Sequence, residues 1–315
     1  MTIRSLGAET SSELADALAR FEESFRYPLG EGRTFRISHG ADYSRFFRAM
    51  GEGICFVEER QGEVFGSMGV ALRTLALPGG EERLAVYLGD LKVASSVRGG
   101  RTLLRLARAA MQWVGDRTDA GYAVVMDGTD AMPGRYTGRL GIPQFSELGK
   151  VMVLRLPTSE VEDPDDPVWL TSRERGTTCF SRLAAGGYAC LGGDPELRSQ
   201  TAPTWLMDPG DRACARLEDT LRAKRLFADD GSEMRSAHLS CFAYEDQGAG
   251  IGLLLVALRL AASRGFPDLF VSIPFPDVEG FTEALAGMEV VLAPATVFGT
   301  GLEPASLWNV NVTEI

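Results

Sequence analysis

One order of features occurs twice in this chain at a constant distance, and no other property of the sequence restricts its fold as strongly. In the first copy an apolar stretch at residues 84–93 leads into Arg98-Gly99-Gly100, an amphipathic helix over residues 99–115 and a second apolar stretch at 122–127. In the second copy residues 238–244 are followed by a glycine-led helix over 247–263 and an apolar stretch at 269–273. Arg98 and Gln247, which open the two loop–helix units, lie 149 residues apart, and Gly121 and Leu269, at the strands that follow, lie 148 apart. A strand–loop–helix–strand unit used twice at fixed spacing implies two similar halves, and 315 residues are enough for two cores.

Between the copies lies PTSEVEDPDDP, residues 157–167, with three prolines, five carboxylates and no apolar period. That is a linker composition. The expected organisation is a first domain at 1–157, a linker at 158–167 and a second domain at 168–315. Residues 54–75 alternate apolar and polar positions about Arg60-Gln61-Gly62, which predicts a hairpin. Leu103, Leu106, Ala107, Ala110, Met111 and Val114 recur at helical spacing and form one apolar face. A short helix around Arg135 and a strand at 151–156 complete the first half, and strands at 290–297 and 308–312 close the second.

A strand, a glycine-containing loop and the first turn of a helix make an anion site, because unpaired N–H groups and the positive end of the helix dipole converge there. Glycine lets a phosphate approach the backbone. The stretch YLGDLKVASSVRGGRTLLRLARAAMQW resembles the central motif of the GNAT acetyltransferase superfamily, a strand ending L-x-V followed by V-x-P-x-x-[QR]-G-x-G-x-[GA] and a helix. Leu91 and Val93 match the strand end, Arg98 the [QR] position and Gly99 the first glycine. Ser95, Arg101 and Leu103 depart from the pattern. Arg101 either crowds a pyrophosphate or reaches it as a bidentate donor.

The resemblance implies an α/β fold of two tandem GNAT-like domains, each a mixed, mostly antiparallel sheet flanked by helices. It implies acetyl-CoA or another acyl-CoA as co-substrate, held by Leu91, Lys92, Val93, Arg98, Gly99, Gly100, Arg101 and Thr102, with direct transfer to the amine of a small molecule or peptide in a ternary complex. In the second half Gln247, Gly248, Gly250 and Gly252 fit Q-x-x-G-x-G, but Glu245 and Asp246 stand where an anion would arrive. Those glycines serve either a second CoA site or close packing of helix on strand. A dinucleotide fingerprint fits less well, since Asp268 precedes its strand instead of ending it.

Acyl transfer to an amine needs a route for the ammonium proton and a proton for the departing thiolate. Within the resemblance Tyr136, in GRYTGRLGIP, is the candidate acid, with plain packing as the other reading. Asp90 is a candidate base only where a bulge breaks the strand alternation, with a structural role as the other reading. Asp127 either accepts the substrate amine or caps the following turn. The chain has two histidines. His39 lies outside any hydrolase-like context, and His238 is a candidate base of the second domain or a satisfied, half-buried core histidine.

Composition excludes other classes. A net charge of −11 disfavours nucleic acid and anionic membranes as partners, and the arginines at 98, 101, 105 and 108 form one compact helical face suited to a phosphorylated cofactor. Five scattered cysteines without a CxxC pair predict reduced core residues and no structural metal. No 18-residue apolar run and no signal peptide are present, so a cytoplasmic protein is expected. The alternatives carried are a GNAT-like pair without catalysis that binds a small molecule or forms a homodimer, and transfer from an acyl carrier protein.

Overall fold

The computed structural model describes residues 2–8, 10–30, 32–129, 132–160 and 169–315. The chain begins with β1 (Thr2–Leu6), α1 (Ser12–Glu22), β2 (Tyr27–Gly30), β3 (Arg33–Ser38) and α2 (Arg45–Arg48). The first copy of the repeat supplies β4 (Glu52–Arg60), β5 (Glu63–Ala76), β6 (Glu82–Val93), α3 (Thr102–Val114), β7 (Gly121–Met126) and β8 (Ser146–Pro157). The second half starts with β9 (Leu170–Thr171), α4 (Arg173–Leu183), β10 (Tyr188–Cys190), α5 (Pro195–Arg198) and β11 (Thr204–Met207). It continues through β12 (Ala213–Glu218), β13 (Arg225–Ala228), β14 (Ser236–Tyr244), α6 (Gln247–Ser263) and β15 (Asp268–Pro274). It ends with α7 (Val278–Ala284), β16 (Val291–Thr300) and β17 (Trp308–Asn309).

Local chemistry accounts for the main elements. The hairpin β4–β5 turns on Gln61 and Gly62 with φ of 53° and 81°, the two left-handed positions of a type I′ turn. Helix α3 starts at Thr102, three residues later than the spacing predicts, because Ser95–Val97 forms a separate 3-10 turn and Gly99 adopts φ +81°. It buries Leu106, Ala107, Ala110 and Val114 against β4 and β5. Helix α6 spans residues 247–263 as expected, and Asp246 caps it. The 308–312 stretch is shorter as a strand than its alternation predicts, since Val312–Glu314 closes into a 3-10 turn.

One mixed sheet crosses the molecule in the order β1-β4-β5-β6-β7-β16-β8-β15-β14-β12-β11-β9. The two halves exchange their last strands. β16 inserts antiparallel between β7 and β8, and β8 pairs with β15 of the second half. Parallel pairing occurs at the equivalent places β6·β7 and β14·β15, which is the repeat expressed as topology. A core cluster draws on both halves: Tyr188 stacks on Trp308 at 4.2 Å and Trp308 meets Tyr122 at 5.9 Å. A second sheet, β13-β3-β2, joins residues of both halves and lies over the centre. The expected linker begins at Pro157, the end of β8, and its residues 161–168 lie outside the described residues. All five cysteines are buried and unpaired. No helix among the described residues is long and apolar enough to cross a membrane.

Candidate active site

The site starts where two parallel strands part. β6 and β7 pair only at Val86 with Gly121 and Tyr87 with Tyr122. Beyond these pairs the strands diverge, and Leu88–Leu91 on one side and Ala123–Met126 on the other line a cavity of about 240 Å³. The β13-β3-β2 sheet contributes Leu29, Ile37 and Leu226 to its wall, and α3 contributes Leu103 and Ala107. The lining is mainly aliphatic and aromatic, so the cavity favours an apolar ligand part.

A β-bulge shapes this cleft. The β5–β6 register shifts between Ser67 and Gly69, leaving Asp90 and Leu91 without a register partner, and Asp90 has φ +52°. Glycines make the bulge feasible: a Cβ on Gly69 would meet the Phe47 ring at 1.9 Å, and one on Gly89 the Tyr87 ring at 2.8 Å. The second half repeats the device at Cys241, with φ +50° and a register shift opposite Cys214 and Arg216. There the parting of β14 and β15 is plugged. Asn311 Oδ1 accepts the Cys241 N–H at 2.8 Å, and Thr313 contacts the Ser240 hydroxyl at 3.1 Å. Of two equivalent clefts the first stays open and the second is filled by the chain's own last residues.

The loop after β6 has the features of an anion site. Arg101 sits at the N-cap of α3 and no side chain caps the helix. Arg98, Gly99, Gly100 and Arg101 are exposed, and space around the Gly99 Cβ position is open. Among the described residues Arg98 and Arg101 have no ion-pair partner. Arg105, by contrast, is bound to buried Glu58 through Nη2 at 2.6 Å. Thr102 is buried and its hydroxyl lies 3.3 Å from Arg105 Nη2. Leu91 lines the cavity, Val93 pairs with Gly66, and the Lys92 side chain points into the interior.

The second loop is arranged differently. Asp246 Oδ1 accepts the Ala249 N–H at 2.9 Å and occupies the place an anion would take. A Cβ on Gly250 would strike the Tyr244 ring at 2.8 Å, Gln247 bonds to Asp277 at 3.2 Å, and Gly248 lies against Asp246. Neither these residues nor Gly252 line the cavity.

The candidate catalytic residues separate. Tyr136 lines the cavity, and burial raises its hydroxyl to about 12, so it remains protonated near neutral pH. Asp127 accepts from Thr296 Oγ1 at 2.7 Å, tying the end of β7 to β16. Asp90 belongs to a buried network. Its carboxylate accepts from the Tyr43 hydroxyl and pairs with Lys92 Nζ at 2.5 Å. Lys92 also reaches Glu22 at 3.1 Å, and Glu22 Oε1 binds His39 Nδ1 at 2.6 Å. Burial opposes the charge on Glu22, yet His39 and Lys92 together bring its carboxyl down to about 2. Glu22, His39 and Asp90 are close enough to share a cation, and the Lys92 ammonium sits among them.

Both histidines of the chain line the same cavity. His238 is buried at 4% exposure and stacks on Phe270 at 5.5 Å, but its Nδ1 is sealed without a hydrogen-bond partner, unlike the satisfied core histidine of the sequence reading. Burial and neighbouring Lys224 depress it to about 3. Lys224 is itself lowered to about 7 by burial and by Arg198, and donates to the Ile315 carbonyl at 2.5 Å. Beneath them Arg73, Glu314, Arg198, Glu218 and Arg216 form an ionic ladder whose side chains are all nearly inaccessible. Glu22, Tyr43, Lys224 and Glu314 carry no local sequence signal, because their partners lie far along the chain.

The parted strands, the bulge and two tandem units are those of the GNAT fold. No protein-family model matches the sequence, and no curated protein matches it. Among solved structures, Saccharomyces cerevisiae N-myristoyltransferase with bound myristoyl-CoA superposes with a TM-score of 0.62 at 10% identity, covering 99% of this chain and 82% of that one. A probable N-acyltransferase from Enterococcus faecalis gives a TM-score of 0.53 at 9% identity, over 97% and 73% of the two chains. A GCN5-related N-acetyltransferase from Anabaena variabilis gives 0.50 at 12% identity, over 95% and 72%. The likeness to the first covers both halves of this chain, so the tandem arrangement is shared as well as the single unit.

Proposed function

We propose that this chain is an acyl-CoA-dependent N-acyltransferase whose first half holds the thioester. The open parting of β6 and β7 carries the proposal, since it joins an uncapped, arginine-flanked helix N-terminus to an apolar cavity. Arg98, Arg101 and the first-turn amides of α3 suit the pyrophosphate. The unpaired backbone at Asp90–Leu91 suits the pantetheine arm and thioester, and Tyr136 on the cavity wall is the candidate to return a proton to the departing thiolate. The apolar lining favours an acyl chain longer than acetyl. The acceptor is an amine, attacking in a ternary complex.

The test is a thermal-shift titration with CoA, decanoyl-CoA and NAD. A ligand that binds only the folded state stabilises it by about 2.7 kcal/mol at a hundredfold excess over its Kd. Both CoA species are expected to raise the transition and NAD to leave it unchanged, while Arg98→Glu and Gly99→Trp remove the CoA effect. Unchanged CoA protection in both variants refutes the site assignment.

A further inference from the structure

We propose that Glu22 and His39 form the general-base pair of the transfer, with His39 Nε2 receiving the proton of the acceptor ammonium; this rests on the acyltransferase reading above. The geometry is that of an oriented imidazole. Glu22 Oε1 holds Nδ1 at 2.6 Å, and Oε2 accepts the His39 backbone N–H at 3.1 Å, so one carboxylate fixes both the residue and its ring. A carboxylate on Nδ1 places the ring proton there and leaves Nε2 as the acceptor. The ring is buried against the cavity wall at 1% exposure, and its Nε2 has no hydrogen-bond partner among the described residues.

The pair also adjoins the bulge. Glu22 shares Lys92 with Asp90, and the His39 ring lies 4.6 Å from that of Tyr43, which bonds to Asp90. The groups facing the pair are Tyr27 on β2, Tyr43 before α2, and Asp90 and Lys92 on β6, with Lys224 on the same cavity wall. Glu22 and Asp90 are both paired with Lys92, and their two carboxylates outnumber its one ammonium, so this end of the cavity does not repel an ammonium acceptor. His238, the other histidine, has no carboxylate on either nitrogen and sits beside Lys224.

The step balances. His39 Nε2 removes one proton from R–NH3⁺, and the free amine attacks the thioester carbon. The C–N bond forms as the C–S bond breaks, the second amine proton goes to the thiolate through Tyr136, and the histidine proton returns to solvent. The products are the amide, CoA thiol and one proton.

The probe is bromoacetyl-CoA, which carries an electrophilic carbon beside the thioester carbonyl. An unprotonated Nε2 at that position forms an N–CH2 bond as bromide leaves, and peptide mass spectrometry locates the adduct on the full chain. The expected result is alkylation of His39, blocked by excess CoA and slowed at least tenfold in Glu22→Gln, with Glu22→Asp recovering part of the rate. An adduct on His238 or a cysteine, or none while CoA still raises the wild-type transition, overturns the pair alone. Failure of CoA to raise that transition removes the acyltransferase reading and the pair with it.

Discussion

The apolar cavity makes the length of the acyl chain the most informative variable. Decanoyl-CoA carries eight methylenes more than acetyl-CoA, worth about 0.8 kcal/mol each on burial and thus about 6 kcal/mol together. Ordering a flexible chain and incomplete burial remove roughly half, leaving about 3 kcal/mol, or a factor of about a hundred in Kd. Isothermal titration with acetyl-, hexanoyl- and decanoyl-CoA is expected to show affinity rising along the series. Ala107→Trp places a ring into the cavity from α3, and is expected to weaken decanoyl-CoA selectively while CoA affinity stays within threefold. A flat series in the wild-type chain, or equal losses for CoA and decanoyl-CoA in the variant, refutes the assignment of this cavity to the acyl chain.

Two further predictions concern the buried framework. Glu22 and Glu218 each ionise near pH 2 when folded against an ordinary 4.5, burial being outweighed by His39 and Lys92 in one case and by Arg198 and Arg216 in the other. The unfolded chain therefore binds more protons in this range, so their stabilisation is complete above about pH 4.5 and is lost as pH falls toward 2. Between pH 7 and pH 3 the pair should cost on the order of 4 kcal/mol, read from urea midpoints, and a midpoint independent of pH over that range contradicts the network. Asn311→Ala removes the acceptor for the Cys241 amide and a contact to Glu314, and should destabilise the fold by about 1–3 kcal/mol. Hydrogen exchange should show the Cys241 amide losing protection in that variant, and retained protection counts against the plug.

Much of the fold was legible because local spacing dictates it. Gln61-Gly62 specified the hairpin turn, the α3 apolar face followed from 3.6-residue spacing, and the 149-residue offset announced two units that the sheet displays as two parallel pairs with two equivalent bulges. The strand–loop–helix unit proposed here to hold CoA was recognisable for the same reason, since Leu91, Val93, Arg98 and Gly99 are neighbours in sequence. The exchange of β8 and β16 was not, because strand pairing depends on edges brought together by the whole chain and a strand's own residues do not encode its neighbour.

The same division holds at the site. By itself the sequence determined the α/β class, the repeat and the glycine loop that opens α3, all products of short-range periodicity and backbone conformation. Only the tertiary structure decided which of two similar clefts stays open, because the plug Asn311–Thr313 comes from the end of the chain to the second one. It alone brought Glu22 to His39, Lys92 to both acidic groups, and both histidines to one cavity. Apart from Asp90 and Lys92, which are neighbours on β6, these contacts join residues 17 or more positions apart, whose meeting is fixed by the shared core and by the need to pair buried charges.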